Sequence, residues 1–166
     1  MHPKAKQYLK QLQLKKHPEG GYFREIYRSA ERILTNHLPS RYKSSRNFST
    51  SIYFLLEGKQ FSKFHRLQSD EIWHFYDGSD VIVYIIDNKG NLKIKKLGKS
   101  AEAEFQLVIK KHSWFAAEIE NKKTFALFGC TVSPGFDFKD FELGQCKFLL
   151  KKFPQHCTVI QRFTSK

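Results

Sequence analysis

Residues 48–97, FSTSIYFLLEGKQFSKFHRLQSDEIWHFYDGSDVIVYIIDNKGNLKIKKL, decide the fold. Short runs rich in Phe, Tyr, Ile and Val alternate with the turn-forming clusters Glu57-Gly58-Lys59, Asp77-Gly78 and Asp87-Asn88-Lys89-Gly90. Aromatic and β-branched side chains suit a pleated, half-buried surface, and Gly, Asn and Asp tolerate the backbone of tight turns. The pattern predicts strands at about 48–56, 61–67, 71–76, 80–87 and 91–97.

The same texture continues downstream, with strands expected at about 105–109, 114–119 and 123–132 and a turn at Asn121-Lys122. Many short strands at this spacing argue for a sandwich or barrel rather than a parallel sheet. The runs Val81–Ile86 and Phe125–Phe128 are apolar on both faces. Such strands need cover on both sides, from the opposing sheet and from an outer helix, an arm or another subunit.

Upstream, Ala5, Tyr8, Leu9 and Leu12 recur at helical spacing, so Lys4 to Leu14 reads as one short amphipathic helix. It ends before His17-Pro18, because a residue preceding proline disfavours the helical region. Gly20-Gly21 permits an unusual turn, and Tyr22 to Ser29 resumes as a strand. Residues 30–47 are polar and basic and read as a loop. After Pro134-Gly135, Phe136, Phe138 and Phe141 punctuate an acidic segment. Gln145 to Lys152 is expected to form a short helix on the outside of the barrel, stopped by Pro154.

A chain of 166 residues fits one domain, 1–166, with one sizeable core. No apolar run approaches the roughly 18 residues of a membrane helix, and MHPKAKQYLKQ lacks a signal-peptide core. No membrane association is expected. Cys130, Cys146 and Cys157 have neither CxxC spacing nor an even count, which favours a reducing cytoplasm. The net charge of +13 raises the question of nucleic acid. Only 7 of the 29 basic residues are Arg, the residue whose planar fork suits phosphate and base recognition, and the lysines are scattered. A solvated Lys-rich surface is the expected reading.

Polar chemistry is densest between Gly58 and Gly78. Strand alternation places Glu71 with Trp73 and Phe75 on one face, and Ile72 with His74 on the other. It groups His65 with Lys63 and Phe61. A carboxyl beside Trp and Phe should have its charged form disfavoured by desolvation, which brings its pKa nearer to working pH. The alternative is a buried Glu tied to an Arg or to backbone amides. An imidazole titrates near neutral pH and can exchange a proton with a substrate. Glu19, Tyr22 and Arg24 flank the double glycine and either line a barrel mouth or only shape a turn. Trp73 and Trp114 can stack on a ring or simply fill the core. His74 reads as structural or interfacial, His112 as a turn residue. No GxSxG, HExxH, P-loop or GxGxxG pattern is present.

His65, Glu71 and Gly78 resemble the first motif of the cupins. Against one branch, the DUF985 family, the likeness extends to HPEGGYFREIYRS, TSIYFLLEG, FHRLQSDEIWHFYDG and CTVSPGFDFKDFELG, in order over residues 17–144. The resemblance implies an all-β double-stranded β-helix, the cupin jelly roll, with a short N-terminal helix and a short C-terminal helical tail, usually as a homodimer. It does not imply one established activity. Leu67 stands at the second histidine position of the first motif. In the second motif Phe115 stands at the histidine position, with His112 in the preceding turn. The usual three-histidine, one-glutamate metal set is reduced to His65 and Glu71, so neither metal nor another cofactor is expected.

The leading expectation is an enzyme acting on a small polar ligand, a sugar or sugar derivative, by proton transfer, as an epimerase or isomerase. His65 and Glu71 would be catalytic. Glu19, Tyr22, Arg24, Lys63, Trp73 and Tyr84 would bind substrate, with Lys63 or Arg24 steadying oxyanion charge. The alternatives are a non-catalytic binding module and a metal-dependent oxygenase or isomerase with incomplete ligation.

Overall fold

The computed structural model describes residues 1–164. Thirteen strands follow a first helix, α1 (Pro3–Gln11). They are β1 (Lys15–Lys16), β2 (Tyr22–Arg28), β3 (Arg32–Ile33), β4 (Arg46–Asn47), β5 (Thr50–Glu57), β6 (Phe61–Leu67), β7 (Asp70–Gly78), β8 (Val81–Ile86), β9 (Leu92–Leu97), β10 (Gln106–Ile109), β11 (Trp114–Ile119), β12 (Phe125–Ser133) and β13 (Phe141–Leu143). Two short helices, α2 (Cys146–Lys152) and α3 (Cys157–Arg162), close the chain. One sheet has the order β1-β2-β5-β12-β7-β10 and the other β13-β6-β11-β8-β9, with antiparallel pairing within both. Neighbours far apart in sequence, such as β5 and β12, give the jelly-roll connectivity.

The doubly apolar strands are explained by three layers of packing. Val81, Val83, Ala126 and Phe128 point between the sheets with Trp73, Phe115, Leu97 and Leu107. Tyr84 and Ile86 point outward, together with Phe64 and Trp114, beneath Leu149, Phe153, Ile160 and Phe163 of the C-terminal tail. Phe125, Leu127 and Leu55 lie beneath Ala5, Tyr8 and Leu12 of α1. The outer cover is therefore the chain's own termini. Each large side chain buried there contributes about 1.5–3 kcal/mol of apolar transfer, which holds the helices against the barrel. Tail helix α2 matches expectation, whereas α3 was not foreseen. No helix among the described residues is long and apolar enough to cross a bilayer.

The 30–47 segment is mostly irregular, with β3 and β4 pairing as a small ladder. Buried Arg46 clamps it to the segment after β12, donating from Nε and Nη2 to the two carboxylate oxygens of Asp140, both at 2.6 Å. That clamp fixes one wall of the cavity described next.

Of three bulges, in β2, β6 and β7, the first two change which side chains face the cavity described next. In β6, Phe115 pairs with His65 and Ala117 with Ser62, so Lys63 and Phe64 together oppose Ala116. In β2, Glu25 pairs with Ile52 and Tyr27 with Ser51, leaving Ile26 unpaired. Simple alternation fails across both points.

Candidate functional site

The sheets enclose a cavity of about 290 Å³ at one end of the barrel. Its inner end carries Glu19, His65, Glu71 and Cys130. Its sides are apolar, with Phe23, Ile52, Phe54, Leu67, Trp73 and Val132. Near the opening stand Glu25, Arg28, Asp137 and three phenylalanines, Phe136, Phe138 and Phe141.

Glu19 reaches the interior because of the turn that carries it. Gly20 has φ +116°, and a Cβ there would lie 2.2 Å from the Phe61 carbonyl oxygen. Only glycine allows this close approach. The backbone of Glu19 is tied on both sides: its carbonyl accepts from Lys63 N–H at 2.9 Å, and its N–H donates to His17 Nδ1 at 3.3 Å. Its side chain accepts from Ser62 Oγ at 2.8 Å, and its other oxygen lies 3.2 Å from His65 Nε2 and 3.4 Å from His17 Nδ1. Ser62 and His65, three residues apart, meet the same carboxyl because the β6 bulge lies between them.

Tautomers follow from these contacts. His65 Nδ1 is 2.7 Å from the Lys63 carbonyl, so Nδ1 carries a proton and donates it. Burial, with nearby His17 as a lesser cause, lowers His65 to a pKa of about 3 despite that bond. Burial likewise lowers His17 to about 4. Both rings are neutral at pH 7. Burial, with the charge of Glu71 as a second cause, raises Glu19 well above the carboxylate range. The protonated carboxyl is therefore favoured at Glu19, and the unprotonated Nε2 at His65. With the ring neutral, the short Glu19–His65 distance is a polar contact rather than an ion pair.

Glu71 is only 7% exposed, and its Oε2 has no hydrogen-bond partner. Burial pushes its pKa up to about 7. The Trp73 indole and Cys130 thiol lie close enough to pull that value partly back, yet the indole nitrogen itself makes no hydrogen bond of proper geometry. The interior thus holds a buried acceptor and a buried donor, each without a partner. Buried polar atoms are seldom left so, except where a ligand or water completes them. Cys130, raised well above its ordinary pKa by burial and by the two carboxyls, stays a neutral thiol.

Of the residues singled out from sequence, His65, Glu71, Glu19 and Trp73 line this cavity. Four others do not. Tyr22 packs outward beneath α1, and Arg24, on the same outer face of β2, donates to the Leu12 carbonyl. Lys63 lies at a separate surface cleft with Lys16 and Gly20, because the bulge takes it off the face of His65. Tyr84 faces the C-terminal tail and donates to Glu118 Oε1. Neither expected oxyanion cation is in place. The cation that does line the cavity is Arg28, turned inward by the β2 bulge and bound to Glu25 through Nε and Nη2 at 2.9 and 2.7 Å. Sequence reasoning missed His17, Arg28 and Asp137. His17 sits two residues from Glu19 in a Pro-Gly-rich turn, which is a readable signal; nothing local marks the other two.

The metal set common in this architecture does not fit. Leu67 and Phe115 occupy two ligand positions, and the Phe115 ring centroid lies 4.0 Å from that of His65, tilted by 58°. His65 Nδ1 is committed to a backbone carbonyl. Among the described residues, no group of three or more His, Cys, Asp or Glu side chains is arranged to hold a metal ion.

Among solved structures, protein SO0799 from Shewanella oneidensis superposes with a TM-score of 0.86 at 38% identity, over 97% of both chains. A hypothetical protein from Leishmania major gives 0.86 at 29% identity, over 98% of this chain and 99% of that one. Oxalate decarboxylase from Bacillus subtilis shares the fold alone, with a TM-score of 0.56 at 16% identity, matched over 37% of its length. No curated protein matches the chain. The sequence profile described as Cupin superfamily (DUF985) matches residues 6–144. That span takes in both the barrel and the Glu19 turn, and the chain belongs to the DUF985 family of cupins.

Proposed function

We propose that the cavity is the active site of an isomerase or epimerase that moves a proton on a small polar substrate, a sugar or sugar derivative. The observation that carries this reading is the unpartnered Oε2 of Glu71, whose side chain lines the same cavity as Glu19 and His65, 3.2 Å apart from Oε2 to Nε2. An epimerase needs a base to take a proton and an acid to return one. Glu71, with a pKa of about 7, is partly ionised at neutral pH and suits the base. Glu19, whose protonated form burial favours and which lies beside neutral His65, suits the acid. His65 thus acts through Glu19, which holds the exchangeable proton. In place of a cation, the free Trp73 N–H would meet developing oxygen charge.

The test is hydrogen exchange with solvent. Aldoses, ketoses and their amino and deoxy derivatives are incubated with protein in D₂O and followed by NMR and mass spectrometry. One carbon-bound deuterium should enter a substrate. Glu71→Gln or Glu19→Gln should slow its entry by about 10²- to 10⁴-fold, with circular dichroism unchanged. A ligand that binds in the cavity but never acquires deuterium would refute catalysis and leave a binding module.

A further inference from the structure

The cavity reverses the charge balance of the chain. The protein has 29 Lys and Arg against 16 Asp and Glu. Among the described residues, the cavity is lined by four carboxyl groups, Glu19, Glu25, Glu71 and Asp137, and by one basic side chain, Arg28. That guanidinium is already held by both oxygens of Glu25. The other titratable groups that face the cavity, His17, His65 and Cys130, are neutral at pH 7. A buried anion would find no free cation, and an uncompensated buried charge is strongly disfavoured.

A cation meets the opposite situation. Glu71 is more than nine-tenths buried and lines the cavity, and its Oε2 has no donor. Phe136, Phe138 and Phe141 stand near the opening with ring centroids 5.0, 6.1 and 6.3 Å apart, and aromatic faces attract ammonium groups. Trp73 lines the same cavity, and its buried Nε1 is a donor without an acceptor. One ligand satisfies both orphaned atoms if it carries an ammonium group and, close by, a hydroxyl or carbonyl oxygen.

We infer that the cavity takes a protonated primary amine bearing a neighbouring oxygen, an amino sugar or amino alcohol, with its nitrogen at Glu71 and its oxygen at Trp73. This names a substrate class for the site proposed above and rests on that reading of the cavity. The ammonium draws Glu71 into its ionised form, so binding near neutral pH releases protons from the protein.

The experiment measures binding by saturation-transfer NMR and calorimetry with skeleton-matched probes. The sets are D-glucosamine, D-glucose and D-glucuronate, then 2-amino-1-phenylethanol, 1-phenylethane-1,2-diol and mandelate, at neutral pH and low salt. An opposite charge within a few ångströms shifts a carboxyl pKa by about 1–3 units. In at least one set the amine should therefore bind about 10-fold or more tighter than its carboxylate twin. Its binding heat should change with the ionisation enthalpy of the buffer. Glu71→Gln should abolish the preference in a protein that still melts cooperatively, and Glu19→Gln should weaken it. The inference is overturned if carboxylates bind as well as amines, if no amine binds at millimolar concentration, or if the preference survives in Glu71→Gln. Alcohols that bind as well as amines and depend on Glu71 would sink the amine alone and leave the acid–base site standing. An amine that binds through Glu71 yet exchanges no carbon-bound hydrogen would do the reverse.

Discussion

Replacing Glu71 by Gln should make this protein more stable at alkaline pH, although the residue is buried and polar. In the unfolded chain the carboxyl titrates at its ordinary 4.5; in the barrel, burial moves it to about 7. Between those values the folded state binds more protons than the unfolded one, so wild-type stability falls as pH rises. Below pH 4.5 the contribution is fully present, and above about pH 7 it is lost. At about 1.36 kcal/mol for each pH unit, the full loss from this one group is about 3 kcal/mol. Gln fills nearly the same volume and never ionises. Any cost of its unpaired amide is the same at every pH, and Glu19 titrates in both proteins with burial, rather than the charge of Glu71, as the larger cause of its shift, so most of its contribution cancels. The stability of Glu71→Gln relative to wild type should therefore climb by about 3 kcal/mol between about pH 4.5 and pH 8. Urea denaturation of both proteins across that range reads it directly. A difference that stays flat to within about 1 kcal/mol would refute the picture of Glu71 as a carboxyl stranded in an apolar cavity. A trend of opposite sign would mean that a cation reaches it in the folded protein.

Phe163, in the C-terminal tail, is fully buried against the barrel, so Phe163→Ala should cost about 3–5 kcal/mol in urea denaturation, whereas loss below about 1 kcal/mol would mean the tail contributes little to the fold. Protein purified without added metal should contain far less than one metal ion per chain by plasma mass spectrometry, because Leu67 and Phe115 replace two ligands; stoichiometric metal would promote the metal-dependent alternative over proton transfer. The chain should form a homodimer, since α1 covers only part of the outer face of the six-stranded sheet and Ile26 and Tyr27 beyond it are 47% and 53% exposed. Light scattering should return about twice the 19.6 kDa chain mass; a mass near that of one chain at micromolar concentration would refute it.

The strand ladder was legible because alternation and turn chemistry are local properties. Strands expected at 61–67 and 114–119 match β6 and β11 residue for residue. Pairs separated by two residues on an unbroken stretch, Glu71 with Trp73, were placed on their common face correctly. Glu19 was recognised because a double glycine is itself a statement about backbone conformation. What depended on tertiary structure was everything beyond one unbroken stretch of strand. A bulge arises when a strand carries one more residue than its partner can pair, so its position depends on β11 and β5 as much as on β6 and β2. The bulge in β6 removed Lys63 from the site and brought Ser62 to Glu19; the bulge in β2 turned Arg28 inward, while Arg24 kept to the outer face. Which face of β8 is the interior was settled by where the C-terminal helices dock, and that placed Tyr84 outside. The pairing of His65 with Glu19 joins residues 46 positions apart through two turns and two sheets. No local pattern encodes such a meeting, because it is fixed only when the sheets close around a common core.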